Sequence, residues 1–370
     1  MVDRRTGQED GTSIREGGPR SRRLLPRELY LLGGVPLMKR LVVDGYGKYV
    51  GCAGERIVVK ENKKVVAQEL PEDIRSVILS GKCSISTDAI IKLCKSGADI
   101  VVLDYRGEVV ARMSFGMFRT VKTRREQYLG YYDQRGVDIA KAVVVSKLYN
   151  QRYLLYTYGK RREDLRDFCL ERVAEIDREI DLVKGFEAEC IDSVRGSLLG
   201  AEGRGSNSYW RGIQKILPKQ LEFPGRVGRG ARDFFNSTLN YGYAVLEGEV
   251  ERGIHFAGLD PYAGFLHTDR PGKPSLTLDI MEMFRQQCVD RVLLSLVTKR
   301  ALKVEEAPRG MLAEKTKRII LKEILSKFEE HVRVGGIKIR WTDLILDKCR
   351  EVAKYLRGEK ATVEPFYLRW

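Results

Sequence analysis

The spacing of apolar residues changes once along this chain, near residue 115, and this change limits the folds it can adopt. From about Gly34 to Phe115, short β-branched runs alternate with Gly, Asn and Pro, which is typical of strands and turns. The predicted strands are Arg40–Val43, Arg56–Lys60, Lys64–Ala67, Ser76–Leu79, Ile100–Leu103 and Val109–Val110. One helix interrupts them, with Ser86 or Thr87 as its cap and Gly97 as its end. The pattern predicts a small β-rich domain over residues 34–115.

Beyond about Arg119 the period is helical. A clean apolar stripe recurs every three or four residues at Leu165, Cys169, Val173, Ile176, Ile180 and Val183. Further helices are predicted over Ile139–Tyr156, Ala231–Ala257, Ser275–Leu296 and Lys315–Phe328. The sequence therefore predicts an α+β architecture, in which the small N-terminal β-rich domain precedes a larger all-α domain over residues 116–370. Residues 1–33 are polar, rich in Gly and Arg and without periodicity, so they are predicted to be a disordered basic extension. Such an extension is either an arm that contacts phosphates or a solvated tail without function.

The charge balance indicates a polyanionic partner. Lys and Arg number 66 against 51 Asp and Glu, a net charge of +15, which favours nucleic acid ahead of a membrane surface. No run approaches the ~18 apolar residues of a membrane span, and the N-terminus has no hydrophobic signal-peptide core. The seven cysteines are scattered and never spaced as C-x-x-C, which argues against a disulfide framework or a zinc knuckle. We therefore expect a cytoplasmic protein with no membrane association and with small, reduced core cysteines.

The glycine motifs do not indicate nucleotide binding. The sequence contains no G-x-x-x-x-G-K-[ST], which excludes a P-loop. Gly45-x-Gly47-x-x-x-Gly51 leads into strands rather than a helix, so it is predicted to be a hairpin turn and not a dinucleotide fingerprint.

Of the three histidines, His267 is the candidate ligand. It lies in a segment whose Gly and Pro residues predict an ordered connection between two helices, whereas His255 and His331 are interpreted as packing or solvated residues. Two acids follow on an apolar helix, Asp279 and Glu282, at i and i+3 on one face. Buried acids need a partner or a cation, so these two either bind a metal or serve structure. The structural alternative is that they favour the helix dipole or pair with Arg285 or Arg291.

A third acid, Glu202, continues the apolar face of Ile191, Val194 and Leu198 in a glycine-rich stretch. It is either an inward-facing ligand or an exposed residue at a fraying helix end. Two or three carboxylates with one imidazole suit Mg²⁺ or Mn²⁺ better than zinc. Together with the basic excess, this set predicts a metal-dependent phosphodiester enzyme that acts on nucleic acid.

Three segments resemble a known family. Leu239–Ala244, Ala257–His267 and Asp269–Glu282 closely resemble the universal first CRISPR-associated protein, the spacer-acquisition integrase and endonuclease, and the likeness runs from about Gly34 to Glu364–Phe366. The resemblance implies a β domain before an all-helical catalytic domain. It also implies a homodimer that assembles with a small companion CRISPR adaptation protein on double-stranded DNA.

The resemblance also implies site residues and a reaction. A Mg²⁺ or Mn²⁺ ion would be bound by Glu202, His267 and Glu282, where many relatives have Asp at the last position. Asp279 would assist the catalytic site, and Arg285 would neutralise a phosphate. A 3′-hydroxyl of a captured DNA fragment would attack a phosphodiester of the CRISPR repeat array, while attack by water would give endonuclease activity. A related DNA transposition or repair nuclease and a non-catalytic DNA-binding scaffold are the alternatives.

Overall fold

The computed structural model describes residues 39–104, 109–113, 120–228, 230–304 and 311–368. The predicted extension over residues 1–33 therefore lies outside the described residues. Phe115 and Arg119, between which the spacing of apolar residues changes from strand-like to helical, also lie outside them. The N-terminal part is built from strands with one helix, α1, at Thr87–Ser96. The strands are β1 Lys39–Asp44, β2 Lys48–Ala53, β3 Arg56–Glu61, β4 Lys64–Glu69, β5 Ile74–Ser80, β6 Ser84–Ile85, β7 Asp99–Leu103 and β8 Val109–Met113.

These strands form two sheets. One has the order β1-β5-β7-β8, with β1, β5 and β7 parallel and β8 antiparallel to β7. The other has the order β4-β3-β2-β6, in which β2, β3 and β4 are antiparallel neighbours. Buried side chains from both sheets, such as Val77 and Val50, pack together with Ala89 and Leu93 of α1 in one apolar cluster.

The C-terminal part is mainly helical. Its helices are α2 Val121–Gly130, α3 Gln134–Arg161, α4 Arg166–Gly185, α5 Ile191–Ile216, α6 Phe234–Ala257, α7 Ser275–Glu282, α8 Arg291–Thr298, α9 Glu314–Glu329 and α10 Trp341–Leu356. A hairpin, β9 His331–Val334 and β10 Ile337–Arg340, lies between the last two. One large apolar cluster joins helices α3 to α10.

Glycines let α5 approach α3 closely. A Cβ on Gly205 would lie 2.5 Å from Leu148 Cδ2, and one on Gly212 would lie 2.4 Å from Leu155 Cδ2. The second glycine lies seven residues after the first on α5, and the second leucine lies seven residues after the first on α3, so the close contact runs along the two helices. The functional side chains described below lie beside this contact.

The predicted α+β class is confirmed, as are the predicted strands and the cap and end of α1. Ser86 Oγ accepts a hydrogen bond from Ala89 N, and Gly97 has a φ of 86°. The hairpin predicted at Gly45–Gly47 is wrong, because β1 pairs with β5 while β2 pairs with β3. The glycines form a turn between two sheets, and their positive φ angles explain their presence.

Three features of the helical part were not predicted. Helices α2 and α10 are not among the predicted helices. The β9–β10 hairpin interrupts a part that was expected to be all helical. The single helix expected over Ser275–Leu296 is α7, a π-helical turn at Gln286–Asp290, and α8. Asp290, the last residue of that turn, accepts hydrogen bonds from two buried tyrosines.

Among the residues that the structure describes, no helix is long and apolar enough to cross a membrane. All seven cysteines are free in the structure. Cys169, Cys288 and Cys349 are fully buried, while the other four are half-buried, so the expectation of core cysteines holds for only three.

Candidate functional site

A cleft of about 430 Å³ opens between α3, α5 and the segment that leads into α6. Its wall combines amide, aromatic and cationic side chains with one carboxylate, that of Glu202. The lining includes Lys147, Gln151, Ser206, Trp210, Arg211, Gln214, Arg226, Tyr243, Arg285 and Gln286. Such a surface is suited to a polar, anionic ligand.

Two of the predicted acids meet through a lysine that lines this cleft. Lys147 Nζ contacts Glu202 Oε1 and lies 2.8 Å from Glu282 Oε2. The side chains of Lys147 and Glu282 are 12% and 5% exposed, so this ion cluster is largely shielded from water. Glu202 belongs to the interior of α5, at 19% side-chain exposure, so it is neither at a helix end nor solvated. Glu202 therefore faces inward, while its role as a ligand stays a prediction.

The charges in this cluster favour one another. Burial alone would raise the pKa of Glu282, but the neighbouring cations Arg285 and Lys147 outweigh burial and lower it to about 2. Burial would lower the pKa of Lys147, yet attraction by Glu282 and Glu202 prevails and raises it. Glu282 and Lys147 are therefore expected to be charged at neutral pH.

Glu202 is positioned by a short hydrogen-bond chain. Ser206 Oγ, one turn further along α5, donates to Glu202 Oε1 at 2.8 Å. Gln151 Nε2 on α3 donates to Ser206 Oγ at 3.1 Å. The chain restricts the rotamer of Glu202 and leaves its carboxylate facing the cleft.

Asp279 fixes the loop histidine rather than facing the cleft. Its Oδ2 accepts backbone hydrogen bonds from Phe265 at 2.7 Å and Leu266 at 3.0 Å. Its Oδ1 accepts one from the His267 backbone at 2.9 Å and lies 2.7 Å from His267 Nδ1. Because a carboxylate can only accept, Nδ1 carries a proton in this contact, and Nε2 is the nitrogen that has a lone pair in the neutral ring. Asp279 is fully buried, so its place in the geometry is that of a positioning residue.

Arg285 lies between the acids and an aromatic floor. Its Nη1 is 3.3 Å from Glu282 Oε1, and its guanidinium lies over the Tyr243 ring at 4.6 Å. Below it, the hydroxyls of Tyr243 and Tyr209 donate to Asp290 at 2.6 Å and 2.8 Å. Burial raises the pKa of Asp290 to about 6 despite these two donors. The floor holds Arg285 at the cleft, where it can meet an anion.

The chemistry of the donor groups fits a hard divalent cation. Glu282 Oε2 is buried and makes no hydrogen bond, although it is ion-paired with Lys147. Together with the Glu202 carboxylate and the free Nε2 of His267, it offers oxygen donors and one nitrogen, as Mg²⁺ or Mn²⁺ prefers. Over the described ranges, however, no group of three or more His, Cys, Asp or Glu side chains is gathered as a ready metal site. The ammonium of Lys147 lies between two of the candidate ligands.

The structure therefore joins Glu202, Glu282 and Arg285 through direct or shared contacts and pairs His267 with Asp279. Glu282 also pairs with Arg285, which was the structural alternative considered for it.

Lys147 was not identified as a site residue from the sequence. The signal was present, because a single Lys stands between Val145 and Leu148 in an apolar stretch of α3, as unusual there as the acids are on α7.

The substitution Asp279→Asn is expected to weaken binding of Mn²⁺ and to lower activity by about 10–100-fold, as loss of a ligand's supporting carboxylate does in metal sites. An amide nitrogen cannot accept from the loop, so His267 loses its fixed tautomer and orientation. Isothermal titration with Mn²⁺ measures the effect independently of activity. Asp269→Asn, at an exposed position of the same loop, is the control, and equal Mn²⁺ affinity in both variants would contradict the role of Asp279.

Comparison with known structures places this architecture in a class. A casposase bound to its integration product superposes with a TM-score of 0.73 at 26% identity, over 89% of this chain and 95% of that one. A Cas1 protein from Thermotoga maritima gives a TM-score of 0.68 at 20% identity, over 89% and 100% of the two chains, which shows a shared fold. The β-rich part followed by the helical part is thus the fold of Cas1 and casposase proteins.

The sequence comparisons are more specific. The family model for CRISPR associated protein Cas1 matches residues 41–326. CRISPR-associated endonuclease Cas1 1 of Archaeoglobus fulgidus is 42% identical over 345 residues, covering 90% of this chain and 100% of the relative. This chain belongs to the Cas1 family, whose curated members include proteins named as endonucleases.

Proposed function

We propose that this protein is a metal-dependent DNA integrase and endonuclease that inserts captured DNA fragments into a CRISPR repeat array. The observation that carries the proposal is the ion cluster in which Lys147 joins Glu202 to the buried Glu282, beside a cleft that Lys147, Glu202 and Arg285 line. Carboxylates next to cationic side chains are what a phosphodiester reaction requires, because the substrate is anionic and its catalytic cation needs carboxylate ligands. Membership of the Cas1 family and the likeness to the casposase support the same chemistry.

Glu202, His267 and Glu282 would hold Mg²⁺ or Mn²⁺. When bound, such an ion polarises a phosphoryl oxygen and stabilises the charge that develops in transesterification. The chain supplies the rest of the site. Arg285 neutralises the reacting phosphate and Asp279 keeps His267 in one tautomer, so the DNA strand meets groups that are already oriented.

The proposed reaction exchanges one phosphodiester for another. The 3′-hydroxyl oxygen of the captured fragment bonds to a phosphorus of the repeat and gives up its proton. The bond from that phosphorus to the repeat's own 3′-oxygen breaks, and that oxygen leaves as the new 3′-hydroxyl. With water as the attacking group, the same exchange is hydrolysis.

We propose double-stranded DNA, a second copy of the chain and a small companion CRISPR adaptation protein as partners. The net charge of +15 supports the first of these, since Lys and Arg bind the phosphate backbone. A cytoplasmic location is part of the same proposal and agrees with the free cysteines. A flat plot of log affinity against log salt concentration would contradict phosphate-dominated DNA binding.

The experiment that tests the function compares two donor DNAs. One ends in a 3′-hydroxyl and the other in a 3′-deoxy terminus, and each is incubated with a repeat-bearing plasmid and Mn²⁺ or Mg²⁺. Joining is expected only with the hydroxyl donor and only without chelator, whereas plasmid nicking by water persists with the blocked donor. Joining in the presence of chelator, or joining of the 3′-deoxy donor, would overturn the proposal. Absence of both joining and nicking would favour the non-catalytic scaffold.

A related transposition reaction is the second candidate, favoured by the likeness to the casposase. The insertion sites distinguish the two. Junctions concentrated at the repeat boundary support CRISPR adaptation, while junctions spread over the plasmid support the transposition or repair alternative.

A further inference from the structure

One ammonium group connects the two carboxylates assigned to the metal. Lys147 Nζ contacts Glu202 Oε1 and Glu282 Oε2, and its side chain is largely buried. Its position is fixed by α3, where the neighbouring Leu148 packs against Gly205 of α5. The lysine is therefore set between α5 and α7, which carry one glutamate each.

Removal of this charge would leave two acids facing each other with little water. Glu202 also has Ser206 as a donor, whereas the contact of Glu282 Oε2 is the ion pair with the ammonium of Lys147. An uncompensated buried carboxylate is strongly destabilising. Lys147 thus performs the electrostatic task that a divalent cation would perform at the same oxygens.

An ammonium group cannot itself bind a metal, because it has three donors and no lone pair. Lys147 and a metal ion must therefore compete for the same two carboxylate oxygens. The competition lowers metal affinity, but it also keeps the two ligands in place before the ion arrives.

We propose that Lys147 is a positioning residue that substitutes for the divalent cation between Glu202 and Glu282 and thereby sets the metal affinity of the site. The inference rests on the proposed function, since it assumes that these two glutamates are ligands. It predicts opposite effects of one substitution, a less stable metal-free protein and a tighter metal complex. A residue with a purely structural role would produce only the first.

The test compares the wild type with Lys147→Met, which keeps an unbranched stem without charge, and with Lys141→Met as the matched control. Lys141 lies on the same helix but donates to the carbonyl of Phe186 at 2.6 Å and not to these acids. Thermal unfolding of the metal-free proteins and calorimetric titration with Mn²⁺ are the two measurements. For Lys147→Met we expect a Tm about 5 °C or more below the wild type. We also expect a Kd for Mn²⁺ at least about tenfold lower, while Lys141→Met keeps the wild-type Kd.

Two further variants keep the outcome decisive. In Lys147→Met combined with Glu202→Gln, charge and counter-charge are removed together, so the metal-free Tm should recover toward the wild type even if Lys147→Met alone does not fold. An unchanged Tm, an unchanged or weaker Mn²⁺ complex in Lys147→Met, or no recovery in the double variant would each overturn the inference. Equal Mn²⁺ binding by the wild type and Glu202→Gln alone would instead overturn the assignment of the metal ligands, which separates failure of the proposed function from failure of this inference.

Discussion

The substitutions Glu202→Ala, His267→Ala and Glu282→Ala are each expected to lower strand transfer and DNA cleavage at least about 10³-fold. A bound metal supplies several kcal/mol of transition-state stabilisation, and each 1.36 kcal/mol lost is a tenfold loss in rate. The carboxylate of Glu282 is ionised at every practical assay pH because its pKa is about 2, so its loss removes a full charge from the site. DNA affinity should change by no more than about threefold, because Lys and Arg make the phosphate contacts.

The assay is the joining of a 3′-hydroxyl donor to a repeat-bearing plasmid, with DNA affinity measured in parallel on the same preparations. Glu187→Ala is the control, since Glu187 is an exposed acid of the loop between α4 and α5. Thermal unfolding confirms that each variant is folded. Full activity in all three variants would contradict the site assignment. A loss of DNA binding that parallels the loss of activity would favour a structural role for these residues.

The order of strands and helices was predictable because it depends on local periodicity. The stripe from Leu165 to Val183 and the capping of α1 by Ser86 are encoded within a few residues of sequence. Strand pairing is not local. Nothing near Gly45 indicates that β1 pairs with β5 rather than with β2, because that choice is made by burial of both faces of the sheet against distant residues.

The site was predictable only in part, for a related reason. Acids in apolar surroundings are costly, so Glu202, Asp279 and Glu282 stand out in the sequence. Their partners lie far away in the chain. Lys147 and Glu282 form an ion pair although they are 135 residues apart in the chain. The role of Asp279 depends on backbone N–H groups of the 265–267 loop, and no spacing rule predicts the direction of those groups. The sequence indicates which residues need partners, and the fold determines which partners they find.

The largest effect on stability is expected from Glu249→Gln, far from the cleft. Glu249 lies on α6, is 7% exposed and joins the helical part to the β-rich part. Arg40 of β1 donates to its Oε2 at 2.7 Å, while Arg75 of β5 and Arg252 lie 3.7 Å and 3.8 Å from its Oε1. Arg75 and Arg252 are buried and the side chain of Arg40 is 6% exposed, so loss of the shared carboxylate leaves cations without enough counter-charge.

We expect Glu249→Gln to lower the free energy of unfolding by about 3–5 kcal/mol at neutral pH, the usual effect of breaking a buried ion cluster. Burial would raise the pKa of Glu249, but Arg40 and the other arginines outweigh burial and hold it below the ordinary 4.5. The stability that this group contributes is therefore fully present above pH 4.5 and is lost as the pH falls through the lower, folded-state pKa. Urea unfolding at several pH values should show the difference from the wild type shrinking below about pH 4.

The control for this prediction is Glu323→Gln, an exposed acid on α9 that should change stability by less than about 0.5 kcal/mol. A second variant, Glu249→Gln with Arg252→Met, removes a buried cation together with the anion. Burial and the neighbouring Arg75 already lower the pKa of Arg252 to about 10, so its charge is the least well compensated of the group. The double variant should therefore be more stable than Glu249→Gln alone. Equal stability of the two variants would mean that the carboxylate acts through packing. Only if its role is electrostatic should removal of an opposite charge restore part of the lost free energy of unfolding.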